Sequence, residues 1–274
     1  MNLIHAVLCF VLFLPPGLWQ GKPPTPSYLK QAELSQTDNT IHVSANSPRP
    51  LEQALDALRV KYSWAVGYED PQYLSKSDLV ETAPQNGAAH DWLPGGGAFT
   101  VDFRAGNTND PPSLDKVLPL IVDAYNHSTN PGQFELRSNP DGTSAVVGVA
   151  ARDEKGRITP QKPVLDSPLT LQTQERTATD TVNLICQQIA ERAHVQVTVG
   201  VSPWAVMDHT KVNVGGAQES ARALLSRTLT STGRKLYWRM LFDPNSKGYL
   251  LDIHLIRNAP PHETPKPATA PVSK

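Results

Sequence analysis

The stretch Lys211–Arg257, KVNVGGAQESARALLSRTLTSTGRKLYWRMLFDPNSKGYLLDIHLIR, changes its hydrophobic period in a fixed order. Val212 and Val214 alternate with Lys211 and Asn213, the period of a half-buried strand. Gly215 and Gly216 break that pattern, and Ala217, Ala221, Leu224, Leu225 and Leu229 then recur at helical spacing. Gly233 marks the helix end, because glycine accepts the left-handed cap conformation. Leu236, Trp238 and Met240 alternate next, Asp243-Pro244-Asn245-Ser246 supplies a turn, and Tyr249, Leu251, Ile253 and Leu255 line a returning strand. A β-α-β-β unit is the simplest arrangement that satisfies all of these periods.

The same order occurs earlier in the chain. LEQALDAL before YSWAVGY corresponds to VNLICQQIA before HVQVTVG. FTVDF with the helix after it, capped by Ser113 and interrupted by Pro119, corresponds to KVNVG with its helix; the proline removes a backbone donor and predicts a kink. SNPDGTSAVVGV matches FDPNSKGYLLDI. Low identity with agreement in order and in apolar positions predicts a tandem duplication and an α+β fold. Each module reads β-α-β-β-α-β-β, with helices on a small mixed sheet. The first is expected over 41–150, with residues 70–98 as a Gly/Pro-rich loop insertion, and the second over 168–257. Linkers are expected at 22–40 and 151–167, and the Pro-rich tail 258–274 reads as disordered.

The closing unit, especially VNVGGAQESARALLSRTLTSTGRKLYWRM, and its counterpart Val101–Val149 resemble the short N-terminal domain of secretins and TonB-dependent receptors. That pattern is a strand, a helix of the form x-x-A-L-x-x-L-L and a hairpin. The likeness spans most of residues 41 to 257 and rests on pattern. No pore or barrel segment follows, so transport is not implied. The resemblance implies a periplasmic or secreted protein-interaction module whose partner is an envelope protein such as a secretin or a TonB-system component.

The N-terminus fits that location. An apolar run from Leu3 to Leu14 ends at Pro15-Pro16, a length suited to a signal peptide over 1–21, with an uncleaved anchor as the alternative. A net charge of −1, with no basic cluster among interleaved aromatics, disfavours nucleic-acid binding. The two cysteines, Cys9 and Cys186, give no disulfide framework, because Cys9 lies within the leader. Stability must therefore come from apolar burial.

No cofactor or metal is expected. The eight histidines show no H-x-x-x-H spacing, and Gly95-Gly96-Gly97 lacks the lysine and helix of a phosphate loop. Cys186 falls on the inward face of its helix and reads as a small buried side chain. His90-Asp91-Trp92 beside the glycines is the one place where a hydrolase site is conceivable, His90 acting as base or ligand. A ligand held between the modules is a further alternative. For a binding module the candidate partner contacts are Trp92 and, on the outward side of their strand, Tyr237, Arg239 and Leu241. Partner binding by strand addition at a sheet edge suits that pattern.

Overall fold

The computed structural model describes residues 32–82, 91–106 and 112–256. The expected leader, the tail and His90 lie outside them. In chain order the first half forms β1 (Glu33–Thr37), β2 (Thr40–Ala45), α1 (Pro50–Tyr62), β3 (Val66–Glu69), β4 (Leu79–Thr82), β5 (Asp91–Pro94), β6 (Phe99–Arg104), α2 (Leu114–Asn126), β7 (Gln133–Ser138), β8 (Ser144–Arg152) and β9 (Ile158–Pro160). The second half forms β10 (Pro168–Thr177), α3 (Ala178–Ala193), β11 (Val197–Val199), α4 (Trp204–Met207), β12 (Lys211–Ser220), α5 (Ala221–Thr230), β13 (Leu236–Asp243) and β14 (Gly248–Leu255). The fold is α+β.

Strand pairing in the second half repeats that of the first. β2 pairs antiparallel with β6, β3 parallel with β8, and β7 antiparallel with β8. Correspondingly, β10 pairs antiparallel with β12, β11 parallel with β14, and β13 antiparallel with β14. The halves then join edge to edge. β13 lies parallel to β3, with Arg239 opposite Tyr68, and the result is one sheet of seven strands in the order β11-β14-β13-β3-β8-β7, with β9 on β8. The described residues fall within one compact unit.

Because side chains alternate across a strand, the joined sheet has two inner faces. Val66 and Tyr68 of β3, Phe134 of β7 and Val146 of β8 pack with Leu51, Leu55 and Leu58 of α1, Ile121 of α2 and Phe103 of β6. Trp238 and Met240 of β13, Leu251 and Ile253 of β14, and Ala145 and Val147 of β8 pack on the opposite face with Val182 and Ile185 of α3 and Leu224 of α5. Each fully buried aliphatic side chain contributes about 1.5–3 kcal/mol. The joint needs a glycine: a Cβ on Gly67 would sit 2.4 Å from two ring atoms of Trp238.

Several expectations are corrected. The segment 22–40 is not all linker, since β1 begins at Glu33 and pairs along its length with β2. Nor is 151–167 a free linker: β9 extends β8, and a short 3-10 turn, Val164–Asp166, buries Val164 and Leu165 in the second core. Its charged residues and prolines signalled exposure, yet the two apolar residues between them anchor it. The expected 70–98 loop carries a hairpin of β4 and β5, and both Asp70 and Tyr73 are buried. Gly215 and Gly216 continue β12 rather than ending it, and Ala217 belongs to that strand. The cap of α3, expected at Asp180 or Thr179, is Thr177, whose hydroxyl accepts from the Asp180 N–H at 3.0 Å. Pro119, by contrast, lies inside α2, where the sequence places it.

Candidate functional site

Two groups of polar residues flank the joint, and the first contains Tyr237 and Arg239, singled out from sequence. Under α1, Tyr237 and Arg239 are partly buried and engaged by that helix. The Tyr237 hydroxyl donates to Asp56 of α1 at 2.9 Å. Arg239 donates to Glu52 of α1 at 3.2 Å and to Asp252 of β14 at 2.9 Å. Arg59, buried, donates to Glu52 and to the Val66 carbonyl, and its guanidinium lies 4.4 Å from the centre of the Tyr237 ring. Tyr237 stacks on His254 at 5.1 Å, and Leu241 packs at the margin of the first core. The face expected to receive a partner is thus closed by α1, whose Glu52, Asp56 and Arg59 fall on one side of the helix.

Burial and the neighbouring Arg239 guanidinium hold the His254 imidazole below its ordinary pKa. Burial, reinforced by Asp56, raises the Tyr237 phenol. For Arg239 burial opposes the charge, but Glu52 and Asp252 outweigh it and the cation is held more firmly. These shifts keep the Tyr237 phenol and the His254 imidazole neutral and the Arg239 guanidinium charged near neutral pH.

At the C-terminal end of β3 a second cluster pins the halves together. The buried Asp70 carboxylate accepts from Arg49 Nε at 2.7 Å, from the Tyr68 hydroxyl at 2.7 Å and from the Phe242 N–H at 3.0 Å. The Asp70 N–H donates to the Met240 carbonyl at 2.9 Å. Next to it, Glu69 points to the second core and accepts from the Leu165 N–H at 3.1 Å. Burial pushes its carboxyl up to about 8, against the pull of the backbone donors at Leu165 and Val164 and of Arg222.

Beyond Asp70 the chain turns away and encloses a cleft of about 470 Å³ between the β4–β5 hairpin and the β13–β14 turn. This is where Trp92 lies. Tyr73, Leu74, Leu79, Phe242 and Pro244 supply the other apolar lining, and Lys76, Lys247 and Glu154 the charges. The walls are fixed from both halves. The Trp92 N–H donates to Asn245 Oδ1 at 2.9 Å, and Asn245 Nδ2 donates back to the Trp92 carbonyl at 3.1 Å. Asp243 in turn accepts from Asn245 and Ser246. On the other wall Asp78, its side chain fully buried, pairs with Arg152 at 2.5 Å, and the Gly95 N–H donates to the Asp78 carbonyl at 2.6 Å. Lys76, Lys247 and Asn245 were not singled out from sequence. The D-P-N-S turn announced a hairpin, but nothing in its spacing announced that Asn245 would reach across to Trp92.

Asp91 is exposed on β5, adjacent to Trp92. Cys186 is buried, its thiol pushed up to about 12 by desolvation, which makes it a poor nucleophile. Among the described residues no group of three or more His, Cys, Asp or Glu side chains is placed to hold a metal ion. Comparison of the chain with protein-family models, with curated proteins and with solved structures found no match.

Proposed function

We propose that this chain is an exported, non-enzymatic protein-interaction module of the bacterial cell envelope, made of two copies of one short α+β unit. Its partner is an envelope protein, such as a secretin or a TonB-system component. The observation that carries this reading is the recurrence of one pairing scheme, β2–β6, β3–β8 and β7–β8, as β10–β12, β11–β14 and β13–β14. Together with the sequence pattern of the closing unit, it supports duplication of a unit like the short N-terminal domain of secretins and TonB-dependent receptors.

The charged side chains at the joint are structural. Glu52, Asp56, Arg59, Asp70, Arg239 and Asp252 are all engaged in joining elements to one another. An incoming strand has a free edge at β11, which pairs only with β14 among the described residues. Close in sequence to that edge, Val201 and Trp204 are 56% and 57% exposed. Apolar side chains flanking an unpaired edge suit strand addition, in which main-chain bonds give affinity and side chains give specificity.

A photo-crosslinking residue at position 204, in the full chain expressed in its native host, tests the proposal. A discrete adduct with one envelope protein is expected, weakened when Val197 on β11, whose N–H faces away from β14, is replaced by proline to remove a backbone donor. Absence of any adduct from position 204, 201 or 250, with the protein recovered free and turning over a substrate, would overturn it.

A further inference from the structure

The cleft at Trp92 has a composition that a plain hairpin packing does not require. Its volume of about 470 Å³ lies within the range of small-molecule sites, roughly 300–1,000 Å³. Three aromatic side chains, Tyr73, Trp92 and Phe242, line it, and only Tyr73 and Phe242 are fully withdrawn from solvent. Trp92 is half-buried, one side of its backbone clamped by Asn245. Two ammonium groups, Lys76 and Lys247, lie in the same lining, and neither has a carboxylate partner among the described residues. Glu154 is the one carboxylate in the lining, which leaves it with a single net positive charge.

We propose that this cleft binds a small aromatic monoanion, its ring against Trp92 and Pro244 and its carboxylate or sulfonate between Lys76 and Lys247. Aromatic rings offer a large apolar face at low conformational cost, and the lysines supply charge where the cleft opens to water. A single net charge suits a monoanion; a polyphosphate would meet Glu154. The walls are preorganised by the Asn245–Trp92 and Asp78–Arg152 contacts, so little ordering accompanies binding. Because Trp92 and Lys76 come from the first half and Pro244 and Lys247 from the second, an occupant touches both halves. This inference is independent of the partner-binding reading: either stands if the other fails.

The test uses two probes on the full chain, 8-anilinonaphthalene-1-sulfonate and its uncharged analogue N-phenyl-1-naphthylamine, followed by fluorescence. One saturable site is expected for the anion, with the neutral probe bound at least tenfold more weakly. Lys76→Ala combined with Lys247→Ala should weaken the anion at least tenfold while leaving the neutral probe within a factor of two. Trp92→Ala should weaken both. Circular dichroism melts of every variant check folding, and Lys76→Arg with Lys247→Arg should restore most of the anion affinity. Equal binding of the two probes, or anion binding unchanged by the lysine substitutions in a folded variant, would overturn the proposal.

Discussion

The strands β13 and β14 of the central sheet are covered by helices on both sides, yet by opposite chemistry. Toward α3 and α5 the strands β13 and β14 present Trp238, Met240, Phe242, Leu251 and Ile253, all buried apolar groups. Toward α1 the same two strands present Tyr237, Arg239, Asp252 and His254, met by Glu52, Asp56 and Arg59. Apolar contact is non-directional and tolerates sliding, whereas charge-assisted hydrogen bonds hold only in one register. A helix from the first half placed over strands from the second needs its position defined. The charged face supplies that definition, and the apolar face supplies most of the stabilisation.

If that division holds, the largest effect comes from the apolar face. Trp238→Ala should destabilise the protein by about 3–5 kcal/mol in urea unfolding, because it empties the space against Gly67 in the middle of the joint. A loss below about 1 kcal/mol would mean that the sheet is not continuous there.

Glu69 sits on the apolar face as its one carboxyl at the joint, and it gives a pH signature. Its folded pKa is raised to about 8 from 4.5, so between those values the folded chain keeps a proton that the unfolded chain has released. Stability therefore falls as pH rises from about 4.5 to about 8, by at most about 1.4 kcal/mol per pH unit from this group. Glu69→Gln keeps the Leu165 contact and should flatten that slope, measured as urea midpoints at a series of pH values. An unchanged slope would place the carboxyl in water.

On the charged face the single-partner deletion is smaller, since Arg239 retains some exposure. Arg239→Ala leaves Glu52 and Asp252 without that partner and should lower stability by about 2 kcal/mol. Arg239→Met with Glu52→Leu should do less harm than the sum of the two, a coupling read from a double-mutant cycle. Strict additivity would remove the network from the account. Smallest of all, Leu250→Thr on the uncovered part of the same face should change stability by less than about 0.5 kcal/mol, seen as an unmoved urea midpoint.

Local order was legible in the sequence to the extent that one strand or helix determines its own pattern. Phe99, Val101 and Phe103 alternate and are buried in alternation on β6, and the spacing of Val182, Ile185, Cys186 and Ile189 gives the buried face of α3. What was not legible depends on pairs of distant segments. Nothing in VGYE or LYWRMLFD states that β3 and β13 share an edge, and so Tyr237 and Arg239 read as an outward face when α1 in fact covers them. The β4–β5 hairpin was hidden because its glycines and prolines dominate the composition, while its order comes from Asp70, Asp78 and Asn245, each reaching a distant backbone or guanidinium. Trp92 was recognised; the lysines that share its cleft come from two separate turns and have no common pattern.

The most direct test of the edge-to-edge joint is the hydrogen bond from the Asp70 N–H to the Met240 carbonyl, which crosses between the halves at 2.9 Å. A through-hydrogen-bond scalar coupling between the Asp70 nitrogen and the Met240 carbonyl carbon, recorded by NMR on deuterated full chain, reads it alone. A measurable coupling with slow exchange of the Asp70 amide is the predicted result. No coupling, with that amide exchanging as a solvent-exposed one does, would show two separate units and contradict the shared sheet.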